Sequence, residues 1–147
     1  MRAVRPGAAM ADVQAACDDV IRAGLLKLGL LTDGKGQQFK IWSTHSFLHY
    51  IGMDVHDVST RRLLEPGMAF VIEPGIYMRE AALDNLPKTA ANDSFVTKVR
   101  PLVQKYRDIG VRIEDSFLLT SSGLERLSAG VPRTIEEIER FLKSDRR

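Results

Sequence analysis

His45, His49 and His56 are the only histidines in the chain, and they fall within a window of twelve residues. Downstream, Glu73 closes the run Ala69-Phe70-Val71-Ile72-Glu73 just ahead of Pro74, and Glu114 follows Arg112 in Gly110-Val111-Arg112-Ile113-Glu114-Asp115. Imidazole and carboxylate are both ligands for divalent metal ions, and a bound ion acidifies water and polarises a carbonyl. Three imidazoles and two strand-borne carboxylates therefore point to metal-dependent hydrolysis.

Those side chains act together only if the surrounding elements aim them. The residue before a proline is held extended, so Glu73 is expected at a strand end. In the run 111–119 the alternation puts Val111 and Ile113 on a core face and Arg112 and Glu114 on the opposite one. Upstream, Arg5-Pro6-Gly7 is a turn leading into residues 10–26, where Val13, Cys17, Val20 and Ile21 recur at helical spacing. Gly29 and the cluster Thr32-Asp33-Gly34-Lys35-Gly36 end that helix. Residues 79–105, interrupted by Pro87 and Pro101, predict a surface excursion with helix near Asp93–Lys105. Pro132 and Thr134, with Glu136 and Glu137 in the first turn, start a last helix capped by Thr134. Trp42, Tyr50 and Met53 are expected in the core or a pocket wall, and Cys17 as a buried small hydrophobe.

Composition bounds the rest. A chain of 147 residues, 44% apolar and 27% charged, is one globular domain. At this size folding removes about two-thirds of the unfolded surface, so no disulfide or structural metal is needed for stability. A formal charge of +2, with basic residues scattered among acidic ones, gives no footprint for nucleic acid. The terminal cluster Lys143-Ser144-Asp145-Arg146-Arg147 is expected to be a solvated end. One cysteine, no leader and no apolar run of about 18 residues predict a cytoplasmic chain without membrane contact.

The ordered motifs His45-x3-His49-x2-Gly52-Met53-Asp54-Val55-His56-Asp57, Leu64-Glu65-Pro66-Gly67-Met68, Ile72-Glu73-Pro74-Gly75-Ile76-Tyr77 and Gly110-Val111-Arg112-Ile113-Glu114-Asp115 resemble the Xaa-Pro aminopeptidase and prolidase branch of the pita-bread metallopeptidases. The resemblance runs from about Arg5 to the C-terminus. It implies an α+β fold, the C-terminal half of a pita-bread architecture, with a curved antiparallel sheet and helices on its outer face. Residues 1–147 are then a single partial catalytic domain.

The resemblance also implies a two-ion site, usually of manganese, held by two Asp, one His and two Glu. The metal-binding residues match His49, Glu73 and Glu114. His45 and His56 match non-ligand histidines that position the substrate and stabilise the tetrahedral intermediate, with His56 assigned to the oxyanion. Arg112 matches an arginine beside the metal carboxylates, and Glu73 is also the candidate proton acceptor. The implied substrates are peptides with proline in the second position.

Two departures qualify this expectation. The two metal aspartates and an upstream substrate histidine would precede Arg5-Pro6-Gly7 and have no counterpart here. Asp12, Asp18 and Asp19 lie on the first helix and cannot replace them. Ser46 also stands where the resembling enzymes carry Gly, and the link from Asp57 to Leu64 is shorter than in some of them. Hydrolysis is therefore expected to be impaired, with at most one weakly held ion. The competing reading, a non-catalytic module that binds peptides or partners, leaves the retained histidines and glutamates without a purpose. An uncovered sheet half would expose edges and an apolar face, so a homo-oligomer or a complementing N-terminal half is expected as partner.

Overall fold

The computed structural model describes residues 2–58 and 63–144. The Asp57–Leu64 link and the terminal cluster lie partly outside these residues, at 59–62 and 145–147. The order is α1 (Met10–Lys27), a 3-10 turn (Gln38–Ile41), β1 (Leu48–Tyr50), β2 (Ala69–Ile72), β3 (Gly75–Tyr77), α2 (Ala81–Asp84), α3 (Ala90–Lys105), β4 (Gly110–Arg112), β5 (Asp115–Thr120), β6 (Gly123–Arg126) and α4 (Ile135–Ser144).

Two antiparallel sheets carry the site. The larger has the order β1-β2-β5-β6, and the smaller pairs β3 with β4. Val71 lies opposite His49, and Ile72 lies opposite both Leu48 and Asp115. Directly opposed residues share a face and neighbours alternate. His49 and Val71 therefore occupy one face, while Leu48, Ile72 and Asp115 occupy the other. On that second face Phe117 and Leu119 pack with Val13 of α1, Phe47 and Phe70 in a buried cluster. Phe70 and Phe117 lie 6.0 Å apart in a stacked pair.

α1 spans the expected residues, and its end follows from Gly29. With φ at +75°, Gly29 adopts the left-handed conformation that closes a helix. Leu30 N then donates to Leu25 O at 2.9 Å, and Gly29 N to Leu26 O at 3.0 Å. Cys17 on this helix is half-buried beside the core, and desolvation pushes its thiol above the ordinary value.

Several expectations need correction. Residues 79–105 are no surface excursion. α3 supplies Phe95, Val99 and Val103 to a second buried cluster with Leu25, Leu30 and Trp42. Thr89 caps it by accepting from Asn92 N, and Pro101 is accommodated inside the helix on its exposed side. The run 111–119, moreover, is not one strand. β4 ends at Arg112 in the small sheet and β5 begins at Asp115 in the large one. Val111 and Ile113, expected in the core, are 54% and 45% exposed. Among the described residues β4 pairs with β3 alone, at the edge of the large sheet's core rather than inside it. Met53 is likewise fully exposed, whereas Trp42 is fully buried, its indole nitrogen donating to Leu30 O at 3.0 Å. Among the described residues no helix is long and apolar enough to cross a membrane.

Candidate metal centre

Glu73 continues the ladder one residue beyond β2, its amide donating to Phe47 O at 2.8 Å. Two residues from Val71, it shares a face with His49. Glu73 is 5% exposed, and a buried carboxylate needs partners. Arg112 Nη1 donates to Oε2 at 2.9 Å, and His49 Nε2 lies 3.3 Å from Oε1. His49 Nδ1 lies 3.1 Å from Tyr50 O, which can only accept, so Nδ1 carries a proton and Nε2 is the ring nitrogen turned toward Glu73. At 3.3 Å a ring nitrogen and a carboxylate oxygen are held together by a proton or a cation between them. The pair fits a divalent ion, and each ligand is braced from behind, His49 by a carbonyl and Glu73 by a guanidinium.

His56 reaches the same place from the loop after β1. Asp57 N donates to Tyr50 O at 3.1 Å and folds the loop back. The loop closes tightly because Gly52 has no side chain; a Cβ there would lie on the Asp57 carboxylate. His56 thus stands edge-on to His49, with ring centroids 4.4 Å apart and planes at 87°. One donor atom from each of His49, His56 and Glu73 falls within 4.8 Å of the others.

His45 belongs to a neighbouring network. Its Nδ1–H donates to Ser46 O at 2.8 Å, so Nε2 accepts from the Tyr77 hydroxyl at 3.1 Å. The same hydroxyl accepts from Arg112 Nε at 2.8 Å, and Arg112 Nη2 approaches His45 Nε2 at 3.5 Å. Gly75 is the floor beneath this contact. It lies opposite Arg112 in the β3–β4 register, and a Cβ there would come within 2.9 Å of His45 Nε2 and 2.5 Å of the Tyr77 hydroxyl. The hydrogen bond that Arg112 donates to Tyr77 is the main reason its guanidinium sits above its ordinary pKa, aided by the charges of Glu73 and Glu114. Glu114 acts there through its field, because it is exposed on the β4–β5 bend and lies outside the His49–His56–Glu73 group.

Sequence reasoning quoted Tyr77 and Gly75 as motif letters without giving them work. Their two-residue spacing in a strand, which stacks them on one face, was the signal available. It missed Gln14 altogether. From α1, Gln14 Oε1 accepts from Phe47 N at 2.8 Å and Ser46 Oγ at 3.1 Å, fixing the segment that carries His45.

The family model for metallopeptidase family M24 matches residues 1–121. The chain belongs to this family. Xaa-Pro aminopeptidase 1 of Streptomyces coelicolor is 36% identical over 95% of the chain, and the human Xaa-Pro dipeptidase is 33% identical over the same share. The chain spans 28% and 32% of these relatives, respectively. Among solved structures, zinc-substituted Escherichia coli aminopeptidase P in complex with product superposes with a TM-score of 0.74 at 33% identity. It covers 99% of this chain, and 31% of the E. coli protein is matched. Pseudomonas aeruginosa aminopeptidase PepP gives 0.75 at 38% identity, with 97% and 31% covered. The fold is thus that expected of the M24 chain, an α+β part of the pita-bread architecture. M24 enzymes use divalent metals, and His49, His56 and Glu73 form a triad able to hold one.

Proposed function

We propose that this M24 chain carries the C-terminal share of an Xaa-Pro aminopeptidase site and takes part in cleaving the bond between an N-terminal residue and proline. What supports this reading most is the His49–Glu73 pair, 3.3 Å apart, with each partner held from its far side. In the completed site His49, Glu73 and Glu114 are ligands, joined by two aspartates that these 147 residues do not supply. Manganese is the preferred ion there because the full set is rich in carboxylate oxygen. When bound, the ions supply an acidified water and positive charge for the developing oxyanion.

The chain's own residues do the rest. Arg112 holds Glu73 through Oε2, which leaves Oε1 on the His49 side to accept a proton. His45, held through Nε2 by Tyr77, positions the substrate, and His56 donates to the oxyanion in the completed site, a contact of the kind worth about 3 kcal/mol. With the aspartates absent, hydrolysis by this chain alone is weak.

The half-site calls for a partner. Val20, Val111 and Ile113 are exposed, and so are Ile135, Phe141 and Leu142 of α4. Such surface favours self-association or a complementing N-terminal half. A homodimer brings a second His-Glu-Glu set and no aspartates, so it does not complete the site. The single cysteine is consistent with a reducing cytoplasmic setting.

Elemental analysis after manganese loading and desalting, with His49→Ala as control, tests the reading together with assays on Xaa-Pro peptides. We expect no more than about one ion per chain, lost in His49→Ala, and little hydrolysis. Full peptidase activity of the isolated chain would overturn the argument about the aspartates, and a strict monomer by light scattering at micromolar concentration would overturn self-association.

A further inference from the structure

We infer that Gln14 of α1 is a positioning residue for His45: by holding the Ser46–Phe47 peptide from behind, it sets which ring nitrogen of His45 carries the proton. The inference takes the substrate-positioning role of His45 from the reading above and adds what holds that ring.

Ser46 O and Phe47 N belong to one peptide unit. The unit is planar, so its carbonyl and its N–H point in opposite directions and turn together. His45 Nδ1 donates to the carbonyl at 2.8 Å, and the N–H donates to Gln14 Oε1 at 2.8 Å. The two contacts share one rigid plate. Ser46 Oγ adds a second bond to Gln14 Oε1 at 3.1 Å. The orientation of the Gln14 amide is forced, because Phe47 N can only donate and the amide nitrogen faces Asp18 Oδ1 at 2.7 Å.

His49 shows what such a brace replaces. Its ring hangs in the same way on the peptide that follows it, Nδ1 lying 3.1 Å from Tyr50 O, and the N–H of that unit, Ile51 N, donates to Ala69 O of β2 at 3.0 Å. There the sheet fixes the plate. His45 lies between the 3-10 turn and β1, outside any strand, and the N–H of its plate meets a helix side chain instead. Gln14 thus supplies to Phe47 N the acceptor that a neighbouring strand supplies to Ile51 N. With the plate fixed, Nδ1 keeps its proton and Nε2 stays the nitrogen offered to Tyr77 and Arg112.

Nitrogen-15 NMR of the histidine rings in the whole chain, in metal-free alkaline buffer where an ordinary imidazole is neutral, reads the tautomer directly. Gln14→Ala should raise the ratio of Nε2–H to Nδ1–H at His45 by about fivefold, the factor matching one hydrogen bond of ordinary net strength, with His49 unchanged. The Gln14 side chain borders a cavity also lined by Asp18, Lys40 and Ser43, so water can reach Phe47 N in this variant and the fold is kept, which far-UV circular dichroism checks. Gln14→Glu combined with Asp18→Asn keeps an acceptor for Phe47 N and a hydrogen-bonded pair along the helix, and should restore the His45 signature. Ser46→Gly removes only the second bond and should change the ratio by less than about twofold. An unchanged His45 in Gln14→Ala would overturn the inference. Equal changes at His45 and His49 would overturn it too, because the substitution would then act through the fold as a whole. The readout needs neither metal nor hydrolysis, so failure of manganese binding or of Xaa-Pro cleavage would refute the reading of the site and leave this result standing.

Discussion

Two carboxylates are buried on neighbouring segments of the large sheet, Glu73 at 5% exposure and Asp115 at 7%. They point to opposite faces, because Asp115 lies across from Ile72 and Glu73 is the next residue. Asp115 is saturated. Ser128 Oγ donates to it at 2.6 Å, Arg133 at 2.5 Å and Arg126 at 3.4 Å, so two cations surround one anion. Glu73 has one guanidinium on one oxygen and the Nε2 of an imidazole facing the other. Burial alone does not distinguish a functional carboxylate from a structural one. What distinguishes them is whether the protein's own partners complete its charge or leave a place for another cation.

The sharpest way to break this contrast is Glu73→Gln. The amide keeps the shape and an acceptor for Arg112 but loses the charge a divalent ion requires. Zinc affinity should fall by more than about a hundredfold, beyond the usual effect of an outer-shell change. Folding stability in the metal-free state should fall by no more than about 1 kcal/mol, because the Arg112 side chain is 45% exposed and solvent screens the pair. Urea denaturation and a zinc titration read the two numbers separately, and a large stability loss with unchanged zinc binding would make Glu73 a structural acid like Asp115.

Asp115→Ala should do the reverse. It strands the half-buried Arg126 and Ser128 and frees the more exposed Arg133, whose pairing solvent screens, and should cost about 1–3 kcal/mol in urea with zinc binding retained. Burial by itself would push this carboxyl up, but the hydrogen bonds from Ser128 and Arg133 and the charges of Arg133 and Arg126 outweigh it and hold the pKa below the ordinary value. A carboxyl lowered on folding stabilises the native state fully above its unfolded value of about 3.9, and that stability is lost as pH falls through the folded value. The gap between wild type and Asp115→Ala should therefore be constant near neutrality and narrow below about pH 4. A gap independent of pH would show that the charge of Asp115 contributes nothing.

The same contrast separates what was legible in the sequence from what was not. Gly29, Pro74 and Thr134 act on their immediate neighbours, so the end of α1, the stop after β2 and the start of α4 follow from local chemistry. Alternation in the run 111–114 gives shared faces, but whether a face is covered depends on which strand pairs with β4. Val111 and Ile113 were misplaced for that reason. The helix expected near Asp93–Lys105 forms as α3 and includes Pro101, but the sequence reading did not use Phe95, Val99 and Val103 at four-residue spacing to see that one side of it is buried. In the site, the meeting of His49 with Glu73 depends on a register between segments over twenty residues apart, which spacing alone does not reveal. The ordered motifs identified both through resemblance. Glu114 was grouped with them on the same ground and lies exposed on the bend after β4.

Tyr77→Phe probes the network beside the pair with a smaller effect. It removes the hydroxyl that accepts from Arg112 Nε and donates to His45 Nε2, at a cost of about 1 kcal/mol. The His45 ring resonances should move while those of His49 stay, since Arg112 retains its separate bond to Glu73. If His49 shifts as well, Glu73 depends on Tyr77 through Arg112, and the open place beside the carboxylate is less rigid than the static contacts imply.

Thr134→Ala should have the smallest effect and marks how far the Asp115 clamp extends. Thr134 Oγ1 accepts from Glu137 N at 3.2 Å, and the Glu137 carboxylate accepts from the amides of Thr134 and Arg133 at 3.0 and 3.1 Å. This reciprocal cap contributes about 1 kcal/mol to the helix it starts. No residue of α4 is buried, so the helix can fray without opening the core. Amide exchange in α4 should accelerate while the urea midpoint moves by less than about 0.5 kcal/mol equivalent. The Arg133 side chain stands on Asp115 just before the cap, and nothing in that ion pair requires the helix beyond it. A stability loss approaching that of Asp115→Ala would instead mean that α4 and the clamp unfold as one unit, making the structural carboxylate the anchor of the whole C-terminal segment.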